Sequence, residues 1–410
     1  MRQIENLPET QISVKQLVAD VRLSSFSNAV IGFSFAASGP VAVILAVGSK
    51  GGLAESQLSS WIFAAFFLNG LLSIAACWLY RTPLVFFWTI PGTVLVGSAL
   101  THLSFAEVVG AFYMTGLLML LLGLSGWIKR IMESIPMPIV MAMVAGVFLQ
   151  FGIDWIKSVR SDFLTAGSMT ISFIVLSAVP SLGRFLPPVI GALLTGVLMM
   201  WLGDRIEPPV ATDAWMVFPH MIRPEFTLSA AAELVVPLAI TVVAAQNGQG
   251  IAVLRNSGHR APINFVTTAC GLFSMLVALF GSSSTCLTGP TNALISSSGP
   301  RNSHYTAGII IGIFALFFGL FAPALTRWMV ATPFEFLAAL AGLAMFRVLL
   351  SAFESAFCGR FSLGALLCFL ITVSEVTILR VGAPFWGLVF GLALSWLLER
   401  DDFEQSVPRP

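Results

Sequence analysis

Two short clusters carry residue types that could do chemistry, Trp88-Thr-Ile-Pro-Gly-Thr93 and Thr285-Cys-Leu-Thr-Gly-Pro-Thr-Asn292. Each sets a proline two residues after a threonine and beside a glycine, within an apolar stretch shorter than its neighbours. Proline lacks an N–H and suits the first turn of a helix, so each cluster predicts an extended stretch that gives way to a half-helix. Non-helical backbone at that depth must line a cavity or be buried in protein. Two half-helix N-termini facing one another would each offer unpaired N–H groups and about half a positive charge, a site suited to a carboxylate. The candidate ligands are Thr89, Pro91, Gly92 and Thr93 from the first cluster and Thr288, Pro290, Thr291 and Asn292 from the second. The alternative is that both prolines only kink ordinary helices.

Two further segments belong beside these, Ser38-Gly39-Pro40 and Gln246-Asn-Gly-Gln-Gly250. Gln246, Asn247 and Gln249 are costly in hydrocarbon unless partnered. A carboxamide donates to a carboxylate and accepts from a hydroxyl, while Gly39 allows close approach of backbone to a ligand. Small and amide residues also glue membrane helices together, and that reading stands beside the ligand one. Phe86, Phe87 and Trp88 are available for an aromatic pocket, or for packing and lipid contact. Of the few ionisable residues near span interiors, Glu233 and Glu335 are the proton-coupling candidates. All four His residues fall in loops or at span ends, against a histidine relay at the centre. The cysteines lack metal-ligand or redox spacing, so no metal, cofactor or enzymatic centre is expected.

The elements that position these residues follow from composition. The 410 residues are 57% hydrophobic and 10% charged, with a net charge of +1, more apolar surface than a soluble interior absorbs, so the excess must face a lipid bilayer. Scattered Lys and Arg argue against nucleic acid. The apolar stretches amount to about fourteen membrane-spanning segments, with Ala307 to Leu325 among them. A short surface helix is expected around Val14–Val21, whose apolar residues recur at helical spacing. Placing the N-terminus in the cytoplasm leaves about 14 of the 21 Lys and Arg on the inner side, as the positive-inside rule asks. Both termini are thus expected in the cytoplasm, across an inner membrane.

The two halves echo each other. Ala36-Ala37 matches Ala244-Ala245, Thr89-x-Pro91 matches Thr288-x-Pro290, Ala145-Gly146 matches Ala341-Gly342, and Pro188-x-x-Gly191 matches Pro384-x-x-Gly387, in one order and about 200 residues apart. An odd number of spans per copy makes the copies inverted repeats around a pseudo-two-fold axis in the membrane plane. The expected layout is a cytoplasmic segment over 1–24, a first repeat over 25–203, an extracytoplasmic linker over 204–227, a second repeat over 228–399 and a cytoplasmic tail over 400–410.

With Trp88-Thr-Ile-Pro-Gly, Ala245-Gln-Asn-x-x-Gly-Ile-Ala252 and Pro384-Phe-Trp-Gly387 in place, the whole chain resembles the BenE-type benzoate/proton symporters, relatives of nucleobase and sulfate transporters. The resemblance implies an all-α protein of seven-plus-seven inverted repeats. It also implies a core domain of spans one to four and eight to eleven, moving against a gate domain of the other six, often with two copies paired as a homodimer. The chain departs from that family in having Gln249 where a proline is usual, and in its Thr-Gly-Pro-Thr-Asn string. The expected function is proton-coupled uptake of a small carboxylate, benzoate or a related aromatic acid, by alternating access. An anion channel or uniporter, and a nucleobase-type carrier of the same fold, are the alternatives.

Overall fold

Apolar runs of this length leave the backbone one solution in hydrocarbon, a helix that satisfies its own N–H and C=O groups. The computed structural model describes residues 5, 13–37, 39–128, 136–179, 181, 186–203, 215–296, 299–330, 332–374, 376, 378 and 383–406. Among the described residues, seven helices are long and apolar enough to cross a membrane: span 1 (Leu23–Lys50), span 2 (Glu55–Tyr80), span 4 (Phe105–Ser125), span 5 (Met137–Ser161), span 8 (Leu228–Asn256), span 11 (Arg301–Leu320) and span 12 (Phe334–Phe357). Shorter apolar helices supply span 3 (Ile90–Ala99), span 6 (Phe163–Ala178), span 7 (Pro188–Leu202), span 9 (Ile263–Ala278), span 13 (Ser362–Ser374) and span 14 (Ala383–Leu398). Span 10 is the seven-residue helix Gly289–Ile295.

The packing maps onto itself when each span is exchanged for the one seven places on. Span 4 packs on span 9 as span 11 packs on span 2, span 6 on span 7 as span 13 on span 14, and span 10 on span 1 as span 3 on span 8, while span 5 packs on span 12. Glycine makes the closest approaches. A Cβ on Gly70 of span 2 would stand 2.9 Å from the Gly312 carbonyl of span 11, and one on Gly116 of span 4 would stand 3.0 Å from the Gly271 carbonyl of span 9. Backbones that approach so closely gain dispersion contacts that apolar side chains, equally happy in lipid, do not supply. The protein is therefore an all-α membrane fold of seven plus seven inverted repeats, with spans 1–4 and 8–11 forming the core domain and spans 5–7 and 12–14 the gate.

At the centre the backbone leaves the helix. Strand β1 (Phe86–Trp88) precedes span 3 and strand β2 (Thr285–Leu287) precedes span 10; they pair antiparallel, with Phe87 opposite Cys286. The ladder continues outward through Thr89 N–H to the Ser284 carbonyl (2.9 Å) and Thr288 N–H to the Val85 carbonyl (3.1 Å). All six strand residues are buried, so each strand satisfies the other's polar groups where no water is at hand. Side chains complete the accounting on both sides. Ser73 of span 2 accepts from Phe86 N–H (2.8 Å), as Ser274 of span 9 accepts from Thr285 N–H (2.9 Å).

Peripheral helices join these spans, among them one over Arg400–Ser406 after span 14. The surface helix forms over Val14–Asp20, capped by Ser13, whose hydroxyl accepts from Gln16 N–H. Span 11 stops at Leu320 instead of running on to Leu325, and a separate helix occupies Ala322–Val330. Pro323 explains the break, because it cannot donate inside a continuing helix but fits the first turn of a new one. Arg327 of that helix pairs with Glu55 at 3.3 Å. Both described ends of the chain lie on one face: Glu5 accepts from Asn264 and Phe265 N–H at the start of span 9, and Asp402 accepts from Phe361 N–H before span 13.

Candidate functional site

Both half-helices start as their prolines require. Thr89 caps span 3 and Thr288 caps span 10, each with extended backbone and with proline in the first helical turn. The caps differ in their hydroxyls. Thr89 Oγ1 accepts from Gly92 N–H (3.1 Å), whereas Thr288 Oγ1 donates to the Val85 carbonyl (3.2 Å) and caps nothing. The first-turn N–H groups of Gly289 and Thr291 in span 10 therefore have no carbonyl or cap within the helix.

The span 10 end borders a cavity of about 800 Å³, within the range of about 300–1,000 Å³ usual for small-molecule sites. Phe35, Phe87, Trp88, Phe148 and Phe173 give it aromatic walls, and Met137 and Met141 add to the apolar lining. Its polar lining comes from Gln246 and Gln249 of span 8, Thr288 and Thr291 of span 10, and Arg347, Ser351 and Ser355 of span 12. Among the described residues Arg347 is the single charged group lining it, and no carboxylate does. Its lining includes Met137 at the start of span 5, Pro188 at the start of span 7 and Ser355 near the end of span 12, so it lies toward the face on which Glu5 and Asp402 are bound. Gly289 lets span 8 approach closely: a Cβ there would meet the Gln249 carboxamide at 2.5 Å. The indole Nε1 of Trp88 is buried and has no hydrogen-bond partner among the described residues.

The residues singled out in the sequence divide into three groups. Pro91, Gln246, Gln249, Thr288, Pro290 and Thr291 line the cavity. Thr89, Gly92, Thr93, Asn247 and Asn292 lie behind it and hold the strand crossing. Asn292 Oδ1 accepts from Val85 N–H (3.1 Å) and its Nδ2 donates to the Val85 and Thr288 carbonyls (3.0 and 2.6 Å). Asn247 Oδ1 likewise accepts from Leu287 N–H (2.8 Å), and Thr93 Oγ1 bonds the Thr89 carbonyl and Ser283. Gly39 packs against Ala344 of span 12, where core meets gate, and Ser38 lies outside the described residues.

The two acidic candidates separate. Glu335 stands in the first turn of span 12 and lines neither space. Glu233 borders a second, smaller vestibule of about 300 Å³ on the opposite face, with Lys50, His102, Gln150 and Asp154. There Glu233 Oε2 is 2.8 Å from His102 Nε2. Reading the sequence alone leaves four contributors out of the site: Arg347, the Ser73 and Ser274 pair, and His102. The two serines stand about one repeat apart, which is the signal that would have found them. No His/Cys/Asp/Glu group able to hold a metal occurs among the described residues.

Residues 19–397 match the family model described as "BenE: Benzoate membrane transport protein". The chain is 30% identical over 374 residues to the "Inner membrane protein YdcO" of Escherichia coli (strain K12), covering 90% of this chain and 93% of that one. It is 27% identical over 391 residues to the "Benzoate membrane transport protein" of Acinetobacter baylyi, covering 94% and 98%. Among solved structures it resembles the transmembrane domain of the cyanobacterial bicarbonate transporter BicA, with a TM-score of 0.61 at 15% identity over 91% of this chain and 98% of that one. It also resembles SLC26A9, with a TM-score of 0.65 at 14% identity over 94% and 66%.

Proposed function

The chain belongs to the BenE family of benzoate membrane transport proteins, and from that premise we propose that it is a secondary active transporter for a small aromatic carboxylate, benzoate or a close relative, driven by proton symport with alternating access. Membrane transport is common ground for the family; the substrate and its driving ion are the proposal. One observation carries it, the cavity of about 800 Å³ whose walls are aromatic and whose single charged lining group is Arg347. An aromatic acid presents a flat apolar ring with one anionic end. The ring suits Phe35, Phe148 and Trp88. The carboxylate suits the Arg347 guanidinium, the two glutamine amides and the unpaired N–H groups at the start of span 10, where charge-assisted hydrogen bonds contribute about 1.5–3 kcal/mol each. The absence of any Asp or Glu from the cavity lining among the described residues favours an anion over a neutral base bound through carboxylates.

In this reading both termini are cytoplasmic, the repeats are 25–203 and 228–399, and the cavity's mouth faces the cytoplasm, so the structure corresponds to an inward-open state. The gate helices would pair two copies as a homodimer, which light scattering in detergent checks. Uptake of labelled benzoate into proteoliposomes under an inside-alkaline pH gradient tests the central claim. Accumulation above the level reached without a gradient is expected. Gradient-independent equilibration would point to a uniporter, and no uptake of any aromatic acid would overturn the substrate assignment.

A further inference from the structure

We propose that Glu233 and His102 form a proton-binding site that governs the vestibule on the face opposite the cavity's mouth, and that through spans 3 and 8 its protonation favours the state in which the cavity is open. The inference deepens the transport reading by naming where pH enters the conformational cycle.

Geometry is its first support. The Glu233 and His102 side chains, 2.8 Å apart, are 4% and 32% exposed. A carboxylate so buried is costly unless paired or protonated, while its partner is open enough for a proton to reach the pair from the vestibule. Other charged groups face the pair from the neighbouring spans. Lys50 at the end of span 1 and Asp154 of span 5 line the same vestibule, and Glu107 in the first turn of span 4 interacts with His102. Both acids are already engaged, Asp154 by Gln150 (2.8 Å) and Lys157 (3.9 Å), and Glu107 by Ser104 N–H (2.9 Å).

The second support is connection. Span 3 begins in the cavity with Ile90 and Pro91, and His102 follows just beyond its last turn. Glu233 lies in one π-helical segment of span 8, Ala231–Val235, and Gln246 of the cavity lies in another, Thr241–Asn247. Such segments widen the turn by one residue, re-aim side chains and recur at functional sites. The same two elements therefore carry the titratable pair at one end and cavity-lining residues at the other.

The third support is broken symmetry. In the register that sets Ala36 against Ala244, Ser25 stands opposite Glu233. Ser25 donates to the Ser303 carbonyl (3.3 Å) in the first turn of span 11, whereas Glu233 bonds His102 between spans 3 and 4. The link from the first repeat is a neutral hydrogen bond; the link from the second titrates.

Protonated, the pair is an imidazolium donating Nε2–H to a carboxylate, with no net charge. Loss of one proton to the vestibule leaves a neutral imidazole beside a carboxylate. That net negative charge costs less when the vestibule opens and hydrates. Protonation thus favours the narrow vestibule seen here, with the cavity open on the other face.

A cysteine reporter tests this without any substrate, so its failure is separable from failure of the transport reading. Ser98→Cys, in the vestibule lining, is introduced with the exposed Cys358 replaced by serine, and labelled with an impermeant maleimide at pH 5.5 and pH 8. Thiolate chemistry speeds labelling at high pH in every variant, so the readout is the labelling rate divided by that of the same protein carrying Glu233→Gln. That ratio is expected to rise about threefold or more from pH 5.5 to 8, a shift of a two-state population. His102→Asn leaves Glu233 to titrate without its imidazole partner and is expected to change the pH profile, and where the glutamine variant is not recovered in the membrane the same ratio taken against His102→Asn decides. A ratio independent of pH, or an unaltered profile in His102→Asn, overturns the proposal.

Discussion

Replacing Asn292 with Leu should weaken the folded protein before it touches any ligand. The substitution nearly conserves volume, and most of what Asn292 bonds keeps another partner. The Val85 carbonyl still accepts from Thr288 N–H (3.1 Å) and Thr288 Oγ1 (3.2 Å), and the Thr288 carbonyl from the backbone N–H of residue 292 (3.3 Å). The Val85 N–H alone is orphaned, having lost Asn292 Oδ1 at 3.1 Å. A buried donor without an acceptor costs about 1–3 kcal/mol, and the change of shape adds about 1 kcal/mol. Asn247→Leu orphans Leu287 N–H in the same way (2.8 Å), so the pseudo-symmetric pair should show similar losses. In detergent without ligand, each variant is expected to melt several degrees below the parent. Gln246→Leu, whose carboxamide lines the cavity and makes no hydrogen bond among the described residues, should melt with the parent and bind benzoate more weakly. Parental melting together with abolished benzoate binding in Asn292→Leu and Asn247→Leu would refute the structural assignment and make both asparagines ligands.

Arg347→Gln is expected to raise the KM for benzoate uptake about 10- to 100-fold, the loss of one charge-assisted hydrogen bond of about 1.5–3 kcal/mol, with Arg347→Lys intermediate; an unchanged KM would move the anion elsewhere. Gly70→Ala and Gly116→Ala each push a Cβ against a facing carbonyl, at 2.9 Å and 3.0 Å, and should cost about 1–3 kcal/mol, read as lower melting temperatures of similar size. His259, in the loop after span 8, is held at a pKa of about 4 by burial and by the nearby His304 and Arg301. Because the unfolded chain takes up this proton near pH 6.5 and the folded protein only near pH 4, stability is expected to fall as pH drops through that window. His259→Asn should flatten the fall between pH 7 and 5, and a parental slope in that variant would exclude the histidine as its source.

Features were legible in the sequence where their signals were local. Apolar length and the positions of Pro91 and Pro290 lie within single segments, so the spans and the two half-helices were legible. Pro323 was as visible as either, yet lay in an apolar run long enough to hide the break at Leu320. The pairing of β1 with β2 was not legible, because three-residue strands carry no periodicity and their partners are about 200 residues away. Asn247 and Asn292 were ambiguous for a chemical reason: a carboxamide serves a ligand's carboxylate and a backbone N–H equally well. His102 and Glu233 stand 131 positions apart, and nothing in either neighbourhood names the other.

Symmetry separates scaffold from candidate function more sharply than residue type does. Positions that agree between repeats build the crossing: Thr89 with Thr288, Pro91 with Pro290, Ser73 with Ser274, and the glycine contacts of spans 2 with 11 and 4 with 9. An inverted duplication makes two equivalent spaces, one toward each face, and two identical spaces would present the same chemistry to both faces. The differences distinguish them. In the register that matches Ala145-Gly146 to Ala341-Gly342, Phe151 stands opposite Arg347, and each lines its own space, the apolar ring in the vestibule and the cation in the cavity. Ser25 stands opposite Glu233 with the polarity reversed, the titratable group on the vestibule side. In the proposed reading an anion is drawn to one face of the crossing and a proton to the other, from a single duplicated frame. Exchanging Phe151 and Arg347 in one chain tests the asymmetry directly: the frame should still fold, and the preference for an anion should move to the opposite vestibule.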